Sequence, residues 1–307
     1  MGLARRAPAV LPPTVASPTP SPSTRRRLTA FLLEFGTFGV LAVAYTTVRS
    51  LVSSDPASAI SHAEALASMQ GQLVRTLEDQ LNAWMVGTTA VAVAACYLYA
   101  VLHYLATPVV FLLSRRRGGA LYWNGYWSLV IASGLAVLVY ATFPVAPPRL
   151  TPSTGIVDVM REFSDFGWWG AAASAPRGIG DATNQYAAVP SMHFGWALWT
   201  SVQLWLLGGR IQRVLAVTYP ILMTVVVIGT GNHFLIDVLA GAACVVVAYA
   251  AVLLLRRWYL RRPSAGDGVE HWRHGSRGAA GTGAEPRAAE PLRAASQEGL
   301  RDGRRAG

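Results

Sequence analysis

Three short clusters in this 307-residue chain combine residue types that suit chemistry on a phosphate: Pro147-Pro148-Arg149, Pro190-Ser191-Met192-His193 and Asn232-His233-Phe234-Leu235-Ile236-Asp237. His233 and Asp237 stand four apart, so on a helix they share a face one turn from each other. A carboxylate so placed accepts the Nδ1 proton of the imidazole, fixes its tautomer and leaves Nε2 free as a nucleophile. The same pair can also do no more than brace a helix end. His193 is the candidate general acid and base, protonating a departing alcohol and then activating the acceptor. The plainer alternative is an interfacial histidine facing headgroups. Ser191 is expected to cap the helix that follows it, where its hydroxyl and the free N–H groups would cradle an anion. Arg149 offers a fixed fork of donors for a phosphate, unless it only snorkels at a span end. Together these residues point to phosphoryl transfer through a phosphohistidine. The sequence holds no carboxylate cluster suited to magnesium, so the expected reaction is metal-independent and uses no cofactor. A competing possibility is a metal triad of His193, His233 and Asp237. Full activity in EDTA would remove it.

The elements that must position these groups belong in a bilayer. The chain is 52% hydrophobic and only 14% charged, against about 25% charged in soluble domains. Its mean hydropathy is positive. Several apolar runs exceed the ~18 residues that mark a spanning helix. This excludes a soluble globular enzyme, a disordered chain and a fibre. The expected fold class is all-α, a polytopic membrane protein with six transmembrane helices near 28–48, 86–113, 122–143, 191–207, 211–229 and 234–255. Pro108 is expected to kink the second. Between the first two, Ile60, Ala63, Leu66, Met69, Leu73, Leu77, Leu81 and Trp84 recur at helical spacing, with Glu64, Arg75, Glu78 and Asp79 between them. That pattern predicts one amphipathic helix over 57–85, lying on the membrane or on the protein. Residues 1–24 and 263–307 read as disordered tails around a membrane domain at 25–262.

The net charge of +10 comes from arginine alone, because the chain has no lysine. The arginines sit beside apolar runs, so the expected partners are membrane lipids and not nucleic acid. With six alternating spans, Arg25–Arg27, Arg115–Arg117, Arg210 with Arg213, and the cluster from Arg256 to Arg262 all fall on one side. The positive-inside rule makes that side cytoplasmic. Both termini are then cytoplasmic and the three polar clusters face outward from the cell membrane. Cys96 and Cys244 match no metal spacing and no disulfide framework. Glu34, in the first span, is read as structural. His103 and Tyr104 are expected to make interhelical hydrogen bonds. Trp168 and Trp169, near Phe163 and Phe166, are either belt aromatics or part of a lipid-facing lid.

As a set, in this order and topology, the three clusters resemble the type 2 phosphatidic acid phosphatase superfamily. The closest likeness is to its branch of inositol phosphorylceramide synthases and their bacterial relatives. Tyr186 to His193, the segment Leu77-Glu-Asp-Gln-Leu-Asn-Ala-Trp84, and Gly241 add to the likeness, which covers about residues 28–258. The resemblance implies six helices and an outward site. In that site His233 is the nucleophile, Asp237 its partner and His193 the acid and base. The broad superfamily has a lysine seven residues before the arginine of the first cluster and a proline after it, where this chain has Thr142 and Leu150. It has Ser-Arg where this chain has Val226 and Val227, and a glycine where Met192 stands. The expected phosphate contacts are therefore Arg149, Ser191 and Asn232, with Thr230 or Arg177 as further candidates.

The expected function is a lipid-phosphate phosphatase or phosphotransferase at the outer leaflet, with water or an alcohol as acceptor. A polyprenyl diphosphate phosphatase is one alternative. A non-catalytic lipid transporter or scaffold is another, although the sequence shows none of the matched broken spans common in transporters.

Overall fold

A computed structural model describes residues 55–169 and 185–261, together with isolated positions of a helical stretch between 29 and 47. The expected tails, Arg25–Arg27, Glu34, Arg177 and Arg262 lie outside the described residues. About half of the first expected span does too, and its described positions are helical. Among the described residues there is no strand. One parallel bridge joins Val145 to Ala187.

The segment expected as one amphipathic helix is two: α1 (Pro56–Met69) and α2 (Gly71–Val86). The break falls at Gln70 and Gly71, where the chain turns through a φ of +79° that glycine takes without a Cβ clash. Ala59, Ala63 and Ala67 of α1 are buried, and from α2 so are Glu78, Asn82 and Met85. Met69, Leu73, Leu77 and Trp84 are exposed. The apolar stripe is thus divided: Ala63 is buried and Ile60, Leu66 and Leu81 pack on the cores, while Met69, Leu73, Leu77 and Trp84 point away from the protein and the polar Glu78 and Asn82 point into it.

Among the described residues, four helices are long and apolar enough to cross a membrane, and they mark a membrane protein. The first, Thr89–Arg117, comprises α3 (Thr89–Tyr97), a π-helical turn (Leu98–Leu102) and α4 (His103–Arg117). Its departure from α geometry lies before Pro108, and α4 continues through that proline. The others are α5 (Gly119–Thr142), α8 (Arg210–Gly229) and α9 (Leu235–Leu260). The run expected as the fourth span is α7 (Met192–Leu207), with 16 residues. At 1.5 Å per residue it reaches about 24 Å, short of a hydrocarbon core of about 30 Å. Between α5 and α7 lies a short helix, α6 (Val159–Glu162), started by the Asp158 carboxylate, which accepts from Arg161 N–H at 3.0 Å.

The two largest of four apolar clusters among the described residues hold most of the helices together. One joins α2, α3, α6 and α8 through Met85, Cys96, Met160, Met223 and Val227. The other joins α4, α5, α7 and α9 through Phe111, Tyr126, Trp199 and Val245. Trp169 belongs to the first core. It is 1% exposed and its indole donates to the Met160 carbonyl at 2.8 Å. The belt or lid expectation therefore fails for Trp169, while Trp168 is exposed. Arg256 near the end of α9 donates to Asn124 near the start of α5. These two helices run antiparallel, with arginines at one end and the three polar clusters at the other.

Candidate active site

The chain leaves α5 through a loop that returns to the turn between α8 and α9. Arg149 N–H donates to the Gly231 carbonyl at 3.0 Å, which fixes the first cluster on the third. Gly231 has a φ of +73°, and a Cβ there would come within 2.8 Å of Ile156 and the Val157 carbonyl. A tight turn against a neighbouring strand of loop requires glycine here. The Val227 carbonyl then accepts from both Asn232 and His233 N–H at 3.1 Å, closing the turn. Val226 and Val227 are themselves buried in the first core. Apolar packing occupies the positions where the broad superfamily carries Ser-Arg.

The second cluster is tied to the same place. Ser191 N–H donates to the Asp237 carbonyl at 2.9 Å. The start of α7 lies so close to α9 that a Cβ on Gly241 would meet the Ser191 carbonyl at 2.3 Å. Val145 N–H bonds to the Tyr186 carbonyl and Ala188 N–H to the Val145 carbonyl, so the loops entering the first two clusters run together.

Within this frame His233 Nδ1 lies 3.3 Å from Asp237 Oδ2. Both side chains are buried, and Asp237 is inaccessible. The same Oδ2 accepts from Phe234 N–H at 2.9 Å, which holds the carboxylate still. The rings of His193 and His233 have centroids 6.0 Å apart. His193 is stacked on Tyr99 at 4.1 Å and meets the edge of His103 at 4.3 Å. Both neighbours come from the π turn and the residue after it, a distortion often found at functional sites.

Arg149 donates from Nε to Asn232 Oδ1 and from Nη1 to Asp158 Oδ2, each at 3.0 Å. Asn232 Nδ2 donates to Thr230 Oγ1 at 2.9 Å. Arg149, Asn232 and Thr230 thus form one hydrogen-bonded chain. The Arg149 side chain is 5% exposed, so it does not snorkel. Asp158 was not legible as part of the site. The available signal was its value as a counter-ion, since an arginine this deeply buried needs one.

Two expectations fail at the residue level. Ser191 precedes α7, yet its hydroxyl makes no cap, and Oγ is buried without a hydrogen-bond partner. Backbone geometry positions it, and Oγ is left to meet something else. His103 makes no interhelical hydrogen bond through Nδ1, which is buried and unpartnered. Its ring packs on His193 and the Trp196 indole instead. Tyr104 is exposed. Among the described residues, no three His, Cys, Asp or Glu side chains converge as metal ligands would.

A helical membrane protein with two imidazoles, a buried carboxylate and a guanidinium at one helix-end cluster has the makings of a phosphoryl-handling enzyme. A family model described as the PAP2 superfamily matches residues 64–251, more than half of the chain, and the chain belongs to that superfamily. Its members are generally phosphatases or phosphotransferases, so lipid phosphatase-type activity follows at that level. No curated protein and no solved structure matches the chain.

Proposed function

We propose that this protein moves or hydrolyses the phosphoryl group of a lipid phosphate at the outer face of the cell membrane, through a phosphohistidine on His233. The approach of the His193 and His233 rings, with Asp237 behind His233, is the observation that carries this reading. In the first step His233 Nε2 attacks phosphorus. The N–P bond forms as the ester P–O bond breaks, and His193 gives its proton to the departing alkoxide. In the second step His193 takes a proton from water or an acceptor alcohol. That oxygen forms the new P–O bond as the N–P bond breaks. Asp237 holds Nδ1–H of His233 and stabilises the positive charge the ring acquires on attack. Arg149, Asn232 and the Ser191 hydroxyl are assigned to the phosphate oxygens.

The inositol phosphorylceramide synthase-like branch is the proposed placement within the superfamily. It rests on the loss of the lysine and arginine positions, now Thr142 and Val227, and on the flanking segments around Glu78 and Tyr186. The reaction is proposed to be metal-independent. Six spans, counting α7 and the segment at 28–48, put both termini in the cytoplasm and the site outside. The test is a reaction in detergent with a panel of lipid phosphates and alcohols, following free phosphate and transferred headgroup, with EDTA present. Wild-type protein should form one of these products and His233→Ala neither. Equal product from the variant would end the proposal.

A further inference from the structure

The first four N–H groups of a helix have no acceptor within it. At the start of α9, directly after His233, the Asp237 and Val238 N–H groups turn back to the Phe234 carbonyl, while the first two donors are taken by side chains from distant parts of the chain. Leu235 N–H donates to Glu78 Oε1 at 2.6 Å, and Ile236 N–H donates to Gln70 Oε1 at 2.8 Å. Gln70 Nε2 donates to Glu78 Oε2 at 3.3 Å, linking the two acceptors. One turn further along α2, Asn82 Nδ2 donates to the Gly229 carbonyl at 2.9 Å and to the Val157 carbonyl at 3.0 Å. Its Oδ1 accepts from Val157 N–H at 2.9 Å. The turn that carries Asn232 and His233 is therefore held at its entrance by Asn82 and at its exit by Glu78 and Gln70. Val157 adjoins Asp158, the partner of Arg149.

We infer that Glu78, with Gln70 and Asn82, is a positioning group for catalysis: α2 is a latch that fixes the His233 turn from outside the bundle. This rests on the reaction proposed above. It explains why an amphipathic helix turns its polar side chains inward and leaves Leu73, Leu77 and Trp84 exposed. The local carboxylate does not replace the latch: Asp237 Oδ2 serves Phe234 and His233, and the Leu235 and Ile236 N–H groups turn to Glu78 and Gln70 instead. A loose turn would leave His233 bound to phosphate yet poorly aimed, so the latch acts on the chemical step more than on substrate capture.

The test compares wild type with Glu78→Ala, Glu78→Gln and Gln70→Ala in detergent, using Asp79→Asn, an exposed neighbour, as control. Glu78→Ala should lower kcat at least tenfold with KM within twofold. Glu78→Gln, which keeps an acceptor for Leu235, should recover part of the loss. Hydrogen exchange at the Leu235 and Ile236 amides should speed up at least tenfold in Glu78→Ala. Gln70→Ala, the milder change, should affect Ile236 alone. Unchanged exchange in Glu78→Ala or Gln70→Ala, or a loss confined to KM, would overturn the latch. If wild type turned over no lipid phosphate, the proposed function would fail, while the exchange rates would still decide whether the latch exists.

Discussion

The buried pair of Arg149 and Asp158 changes how a phosphate must be received. The guanidinium is already neutralised on one side and bonded to Asn232 on another, so an arriving phosphate meets a fixed, half-committed fork. Breaking such a pair by removing one charge leaves the other stranded in a poor solvent. Asp158→Asn should lower stability by about 3 kcal/mol, read as a fall in the thermal midpoint in detergent; an unchanged midpoint would mean the pair is solvated. Arg149→Ala should reduce kcat/KM on a lipid phosphate at least a hundredfold. Turnover equal to wild type would remove Arg149 from the phosphate contacts. His233, Asp237, His193 and Arg149 were legible as candidates because each is a costly residue type beside an apolar run. Asp158 and His103 were not legible, since their partners are set by loop return and by a π turn that no spacing rule announces.

At the scale of elements, the crossing of α7 and α9 sets the distance between the two imidazoles. Gly241 allows it: an added Cβ would sit 2.3 Å from the Ser191 carbonyl, a backbone atom that cannot swing aside. Gly241→Ala should therefore push His193 away from His233 and cut turnover at least tenfold. Gly134→Ala in α5, where a Cβ meets nothing within 4 Å, should be neutral or slightly stabilising. The latch helix has its own pH signature. Burial pushes the Glu78 carboxyl from an ordinary 4.5 up to about 7, against the opposing bonds from Leu235 and Gln70. The folded protein thus holds this proton more tightly than the unfolded chain. The stability Glu78 contributes is full below about pH 4.5 and is lost as pH rises through about 7. Glu78→Gln should flatten the fall in thermal midpoint across that window, and an equal fall in both proteins would contradict the burial argument. Helical periodicity revealed the helical segment of α1 and α2 but not the break between them at Gln70 and Gly71. It left open whether the helix lies on the membrane or on the protein, because the inward face is set partly by the orphan donors of α9, which take Glu78 and Gln70, and not by apolar burial alone.

At the scale of the whole molecule, composition alone was enough to place the chain in a membrane and make it helical. Span counting was less secure. The α7 helix is shorter than a bilayer core, and a reading by apolar runs cannot see where a helix ends at a functional loop. The proposed orientation predicts that cysteines introduced at Gln72 and at Arg213 label on opposite sides of intact cells, the first from outside and the second only after permeabilisation. Labelling from one side at both positions would break the topology. The account depends most on covalent phosphoryl transfer to His233. The direct measurement is rapid quenching of enzyme mixed with a lipid substrate labelled in its phosphate, followed by peptide mapping. A phosphoramidate label, stable in base and lost in acid, should map to the peptide containing His233 in wild type and vanish in His233→Ala. Turnover without any such label, or a label that survives the substitution, would contradict it.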